Sequence, residues 1–130
     1  MLVSWNTTNQ CNMFCDHCYR DAGVKLEDEL TTSQGKTLID QIKEAGFRMM
    51  IMSGGEPLMR PDIFELCAYA VSRGLRTVMG TNGTLITPQV ADELRRTGVA
   101  ACAVSLDSIA ASEHDAFRKL EGAYDMALQG

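Results

Sequence analysis

The sequence predicts an α/β fold built on a parallel sheet, and three observations point to it. Short β-prone runs alternate along the chain with stretches of helical periodicity, so strands are joined by crossovers that hold helices. Glycines at 46, 74 and 98 close the periodic stretches where a helix would stop. The residues just past each β-prone run are chemically loaded, as they are at the carboxyl ends of strands in parallel α/β proteins.

Leu2 to Thr7 reads as the first strand, short and delivering the chain straight into a cysteine loop. Lys25 to Leu30, with Glu27, Asp28 and Glu29, reads as a solvated connection. Thr32 or Ser33 can cap a helix that puts Leu38, Ile39, Ile42 and Ala45 on one face, with Gly46 at its end. Phe47 to Ser53 is a nearly unbroken apolar run, the pattern of a strand covered on both faces. Pro61 can occupy the first turn of a second helix, where Ile63, Leu66, Cys67, Ala70 and Val71 keep helical spacing up to Gly74. Arg76 to Gly80 is a third strand. Thr87 and Pro88 supply a cap and a first-turn proline for a third helix, with Val90, Ala91 and Leu94 inward and Gly98 at the end. Val99 to Leu106 is a fourth strand, and Ala123 to Gln129 a fourth helix.

Four β/α units are half of an eight-fold, TIM-type barrel, or part of a smaller open sheet; periodicity does not separate the two. Because the chain stops at Gly130, directly after the fourth unit, it is expected to be a fragment with its remaining strands missing. An unclosed parallel sheet leaves a bare strand edge.

Composition narrows the function. The 130 residues, 45% apolar and 22% charged with 3 prolines, suit a single globular core. A net charge of -5 without a basic run argues against nucleic acid, and no stretch approaches a membrane span. The N-terminus lacks the features of a secretory signal, so a cytoplasmic location is expected. Five cysteines is an odd number with three crowded together, which suits metal-binding thiols in a reduced compartment better than a disulfide framework.

Those three, Cys11, Cys15 and Cys18, have the spacing C-x3-C-x2-C. Thiolates select zinc, copper(I) or iron-sulfur clusters, and this spacing lets one loop touch three corners of a compact object. A closed zinc site needs a fourth ligand, which His17 could supply; packing of that ring beside a cluster is the preferred reading. Cys67 and Cys102 read as small buried hydrophobes, and Met49, Met50, Met52 and Met79 as core. Gly54, Gly55, Glu56 and Pro57 follow the second strand, Asn82 the third, and Ser105 and Asp107 end the fourth. Paired glycines admit close approach to the backbone, and the polar groups suit a small zwitterionic molecule beside a metal. Glu56 could instead cap a helix, and Asn82-Gly83 could be an ordinary turn. His114 reads as an exposed helix start or turn, and Arg118-Lys119 as solvated.

Cys11, Cys15 and Cys18, with His17 before the last cysteine and Gly54-Gly55-Glu56-Pro57 at the next strand end, resemble the radical S-adenosylmethionine (radical SAM) superfamily across essentially the whole chain. The resemblance implies that the three cysteines ligate a 4Fe-4S cluster whose fourth iron binds SAM. It also implies that Gly54, Gly55, Glu56 and Pro57 meet the methionyl end, that Ser105 meets the ribose or carboxylate, and that Asn82 and Asp107 contribute to the same pocket. One electron, from a reductant such as flavodoxin or ferredoxin, would cleave SAM to a 5′-deoxyadenosyl radical that abstracts a substrate hydrogen. The runs Val3 to Cys11 and Arg20 to Gly23 are most similar to radical SAM proteins of anaerobic haem and heme d1 biosynthesis, which implies a tetrapyrrole substrate. The alternatives are a peptide- or cofactor-maturing relative and a non-catalytic zinc-binding or partner-binding half barrel. Substrate recognition is expected beyond Gly130, so this chain alone need not be active.

Overall fold

The computed structural model describes all 130 residues. Strands β1 (Leu2–Asn6), β2 (Met49–Ser53), β3 (Arg76–Thr81) and β4 (Ala101–Val104) pair in parallel in the order β1-β2-β3-β4, and the sheet is open. Helices α1 (Thr32–Glu44), α2 (Ile63–Ser72), α3 (Pro88–Thr97), α4 (Ala111–Arg118) and α5 (Ala123–Gln129) follow the strands, with a 3-10 turn at Pro57–Met59.

Register puts Val3 beside Met50 and Trp5 beside Met52, and in turn Met50 beside Thr77 and Met52 beside Met79. These residues form the sheet face that packs on the helices. Met50, Met52 and Met79 join Ile39 and Ile42 of α1, Ile63, Leu66, Cys67 and Ala70 of α2, and Leu94 of α3 in one core. Met50, Met52 and Met79 are therefore packing residues, as expected, whereas Met49, also expected in the core, lies outside it. Along β2, however, Met50 and Met52 are buried while Met49, Ile51 and Ser53 are half-buried, so only one face of this strand is fully covered. An unbroken apolar run does not report such a difference between faces.

Helix starts show how local chemistry selects boundaries. Thr31, not Thr32 or Ser33, caps α1: its hydroxyl accepts the Gln34 N–H at 3.3 Å and Gln34 Oε1 accepts the Thr31 N–H at 2.9 Å. That reciprocal pair, readable as T-x-x-Q, satisfies two donors that a helix start leaves open. Pro61 lies before α2 rather than in its first turn, and Pro57 instead opens the 3-10 turn. Thr87, Pro88 and Gly98 bound α3 as expected, with Gly98 at φ 81°, a left-handed conformation that costs glycine nothing sterically.

Two expectations fail near the end of the chain. Cys102 is exposed, because β4 is a short edge strand and α4 and α5 pack mainly on each other. His114 and Arg118, expected at the surface, lie four apart on the inward side of α4 and are only 1% and 9% exposed. Charge in the sequence suggested solvent; an acid partner, Asp107, described below, draws Arg118 in.

Candidate cofactor site

The site is assembled where the chain leaves β1 and β2. Thr7 N–H donates to the Ser53 carbonyl, Gly55 N–H to Thr8 and Glu56 N–H to Gln10, each at 2.8 Å. The glycine loop is thus laced to the segment that enters the cysteine loop. Gly54 has φ 150°, and a Cβ on Gly55 would come within 2.5 Å of the Gln10 carbonyl oxygen. Both glycines are required first by the chain's own backbone, which occupies the side where a Cβ would point. The cysteine loop then closes on itself: Cys11 N–H donates to the Gly23 carbonyl at 3.0 Å, Cys18 N–H to Cys15 at 3.2 Å, and Ala22 N–H to Cys18 Sγ at 3.5 Å.

Glu29, expected within a solvated connection, anchors this entry. Its Oε1 accepts the Thr8 hydroxyl at 3.0 Å and the N–H groups of Asn9 and Leu26 at 2.8 and 3.1 Å. Burial opposes ionisation, yet those donors hold its carboxyl below the ordinary glutamate value.

A cleft of ≈ 230 Å³ opens at the strand ends, and Cys11, Cys15, Cys18, Gly54, Gly55, Asn82 and Ser105 all line it. Glu56, Pro57 and Asp107 do not line it: the first two are buried, and Asp107 is exposed outside the cleft. Glu56 is fully buried: its carboxylate accepts the Thr81 hydroxyl at 2.8 Å, the Asn82 N–H at 2.8 Å and the Leu58 N–H at 3.1 Å. Burial pushes its carboxyl up while the three donors pull it down, the first effect prevailing. It therefore fixes the end of β3 and caps the 3-10 turn. Asn82 Nδ2 donates to Asn12 Oδ1 at 2.8 Å, while Asn82 Oδ1 accepts the Thr84 N–H at 2.9 Å, so this amide ties the third strand end to the residue after Cys11.

Asp107 accepts Arg118 Nε at 2.5 Å, and its own N–H donates to His114 Nδ1 at 3.2 Å. The guanidinium holds the Asp107 carboxyl below the usual carboxylate range. The sequence placed Arg118 in solvent and gave Arg20, Thr81 and Asn12 no role in the site. Arg118 carries no local signal, since its partner lies eleven residues upstream across a loop. Arg20 sits two residues past Cys18, and that adjacency is a signal of its nearness to the thiols.

The charge in the cleft contrasts with that of the whole chain. Overall charge is -5, yet no aspartate or glutamate lines the cleft, whereas Arg20 and Arg118 do. Arg20 Nε is buried without a hydrogen-bond partner. Cys11 and Cys15 have their thiols pushed up by burial, and at Cys15 the charge of Arg118 works against that rise. The His17 ring stacks on Phe117 with centroids 4.1 Å apart and planes 7° from parallel.

No three histidine, cysteine, aspartate or glutamate side chains converge on a position for one metal ion. Three thiols that line one cleft suit a cluster with several corners, and a backbone N–H aimed at Cys18 sulfur is a contact a thiolate favours. The donor set fits an iron-sulfur cluster and does not form the closed four-ligand cage of structural zinc.

Residues 5–130 match the radical SAM superfamily. The chain belongs to that superfamily. This radical SAM chain is 42% identical over 130 residues to the AdoMet-dependent heme synthase of Nitratidesulfovibrio vulgaris, covering 99% of the chain and 35% of that protein. It is 46% identical to the Fe-coproporphyrin III synthase of Methanosarcina barkeri, with coverages of 99% and 32%. The chain thus spans about a third of the length of the curated relatives it matches. Among solved structures, Streptococcus suis SuiB bound to S-adenosylmethionine superimposes with a TM-score of 0.78 at 20% identity, covering 92% of this radical SAM chain and 28% of SuiB. That likeness places the open sheet within the barrel-type fold of radical SAM proteins. No helix is long and apolar enough to cross a membrane.

Proposed function

We propose that residues 1–130 form the N-terminal part of a radical SAM core domain in which Cys11, Cys15 and Cys18 hold a 4Fe-4S cluster, and that the domain acts on a tetrapyrrole side chain. The observation that carries this reading is that Cys11, Cys15 and Cys18 line one cleft together with Gly54 and Gly55, in a chain whose residues 5–130 match the radical SAM superfamily. When bound, the cluster and SAM supply a 5′-deoxyadenosyl radical, by one-electron cleavage of the sulfur-carbon bond, for hydrogen abstraction.

The residues of the chain orient and insulate that chemistry. Gly54, Gly55, Asn82 and Ser105 border the SAM side of the cleft, Glu56 acts through Asn82 and Asp107 through Arg118, and Pro57 starts the turn that Glu56 caps. The names of the two relatives, a heme synthase and an Fe-coproporphyrin III synthase, support a tetrapyrrole as substrate. So does the cleft itself, because such molecules carry carboxylate side chains and Arg20 offers a guanidinium whose Nε has no partner in the protein. The electron would come from a small reductant such as flavodoxin or ferredoxin, in the cytoplasm.

Anaerobic incubation of the reconstituted protein with SAM, dithionite and an iron coproporphyrin, with 5′-deoxyadenosine quantified, tests this. Release should depend on all three cysteines, and Arg20→Ala should weaken porphyrin binding about tenfold, the loss of one charge-assisted contact. Equal binding of the porphyrin tetramethyl ester, which has no carboxylates, would remove the substrate assignment while leaving the cluster untouched.

A further inference from the structure

The last turn of α4 touches the cysteine loop residue by residue. Asp16 N–H donates to the Phe117 carbonyl at 3.3 Å, His17 stacks on the Phe117 ring, and Lys119 forms an ion pair with Asp16. Between these contacts Arg118 lines the cleft beside Cys15, 9% exposed, with its Nε bonded to Asp107 at 2.5 Å. Asp107 is itself placed by His114, and its Oδ1 lies 4.0 Å from His17 Nε2. A buried guanidinium needs a counter-charge, and Asp107 is the one carboxylate that pairs with it. With Nε occupied by Asp107, the guanidinium still lies within hydrogen-bonding reach of Cys15.

We propose that this turn is a clamp that positions the Cys15 limb of the loop, and that Arg118 within it sets the charge at the Cys15 sulfur and with it the reduction potential of the cluster. The inference rests on the cluster assignment above and adds to it. Reduction adds an electron to a centre held by three thiolates, so a fixed positive charge beside one of them favours the reduced form. Charge-assisted N–H donation toward a coordinating sulfur acts in the same direction. Arg118 is a positioning residue in this scheme, acting through Cys15, and Asp107 holds it in place.

The test is a redox titration of the reconstituted chain followed by electron paramagnetic resonance, with iron and sulfide counted in each variant. Arg118→Gln should take up a full cluster whose midpoint is more negative, by on the order of tenfold in the reduction equilibrium, about 59 mV for one electron. Arg118→Lys, which keeps the charge, should return toward the wild-type midpoint. Asp107→Asn, which removes the counter-charge and leaves Arg118, should move it positive. A fully loaded Arg118→Gln with an unchanged midpoint would overturn the proposal. Should Arg118→Gln fail to hold a cluster, Asp107→Asn decides: a midpoint that is unchanged or moves negative would overturn the proposal equally. Absence of a cluster from the wild-type chain would instead remove the cluster assignment on which the inference stands.

Discussion

Cys15→Ala is expected to abolish cluster assembly, whereas Cys67→Ala and Cys102→Ala leave it intact. All five cysteines are free thiols, so sequence content alone does not rank them. Position does. Cys15 lines the cleft with Cys11 and Cys18, and each thiolate would hold one corner, so loss of one leaves two irons without protein ligands. Cys67 is buried in the core between α2 and the sheet, its thiol pushed up to about 12 by burial, and it is inert there. Cys102 sits on the edge strand, outside the cleft. The checks are the brown absorbance and the iron and sulfide content of each variant after anaerobic reconstitution. Loss of the cluster in all three alike would contradict the ligand assignment.

Glu56→Ala should destabilise the fold by about 3 kcal/mol or more, because it strands three donors in a buried place at roughly 1–3 kcal/mol each, with incomplete additivity. Those donors are the Thr81 hydroxyl and the N–H groups of Asn82 and Leu58. Weakened SAM binding should accompany the loss, through displacement of Asn82 at the cleft wall. Glu56→Gln should not rescue, since its amide nitrogen would face a donor. Urea unfolding, with SAM affinity measured under conditions where the variant remains folded, separates the two effects. An unchanged urea midpoint would refute the strut, and unchanged SAM affinity its link to the cleft.

The pH dependence has a definite sign. Because burial raises the Glu56 pKa in the folded state, the proton is bound more tightly there than in the unfolded chain. Its contribution is present below the ordinary glutamate value and fades as pH rises through the raised one. Glu29 and Asp107, whose values are lowered, contribute in the opposite sense: their stabilisation is present at neutral pH and is lost as acid protonates them.

The alternation of strands and helices was legible because each periodic segment is bounded by residues with restricted backbones, as at Thr87, Pro88 and Gly98. The cysteine loop was legible because its ligands are close in sequence. What escaped were contacts made across the fold. Glu56 sits where a ligand-facing carboxylate was expected, but the loop from β2 to the 3-10 turn directs it toward Thr81 and Asn82. Arg118 looked solvated beside Lys119, and only the arrival of Asp107 from the end of β4 makes its burial possible. Neither partnership leaves a mark at fixed spacing. Cys102 failed for another reason: its apolar neighbours describe a strand but not whether that strand is central or at an edge.

The most direct measurement is electron paramagnetic resonance of the anaerobically reconstituted, dithionite-reduced chain, with and without SAM. A 4Fe-4S signal that changes shape when SAM is added is the expected result, since an iron lacking a protein thiolate is the one SAM would occupy. A cluster whose signal ignores SAM, or a chain that takes up zinc and no iron, would contradict the assignment of this cleft.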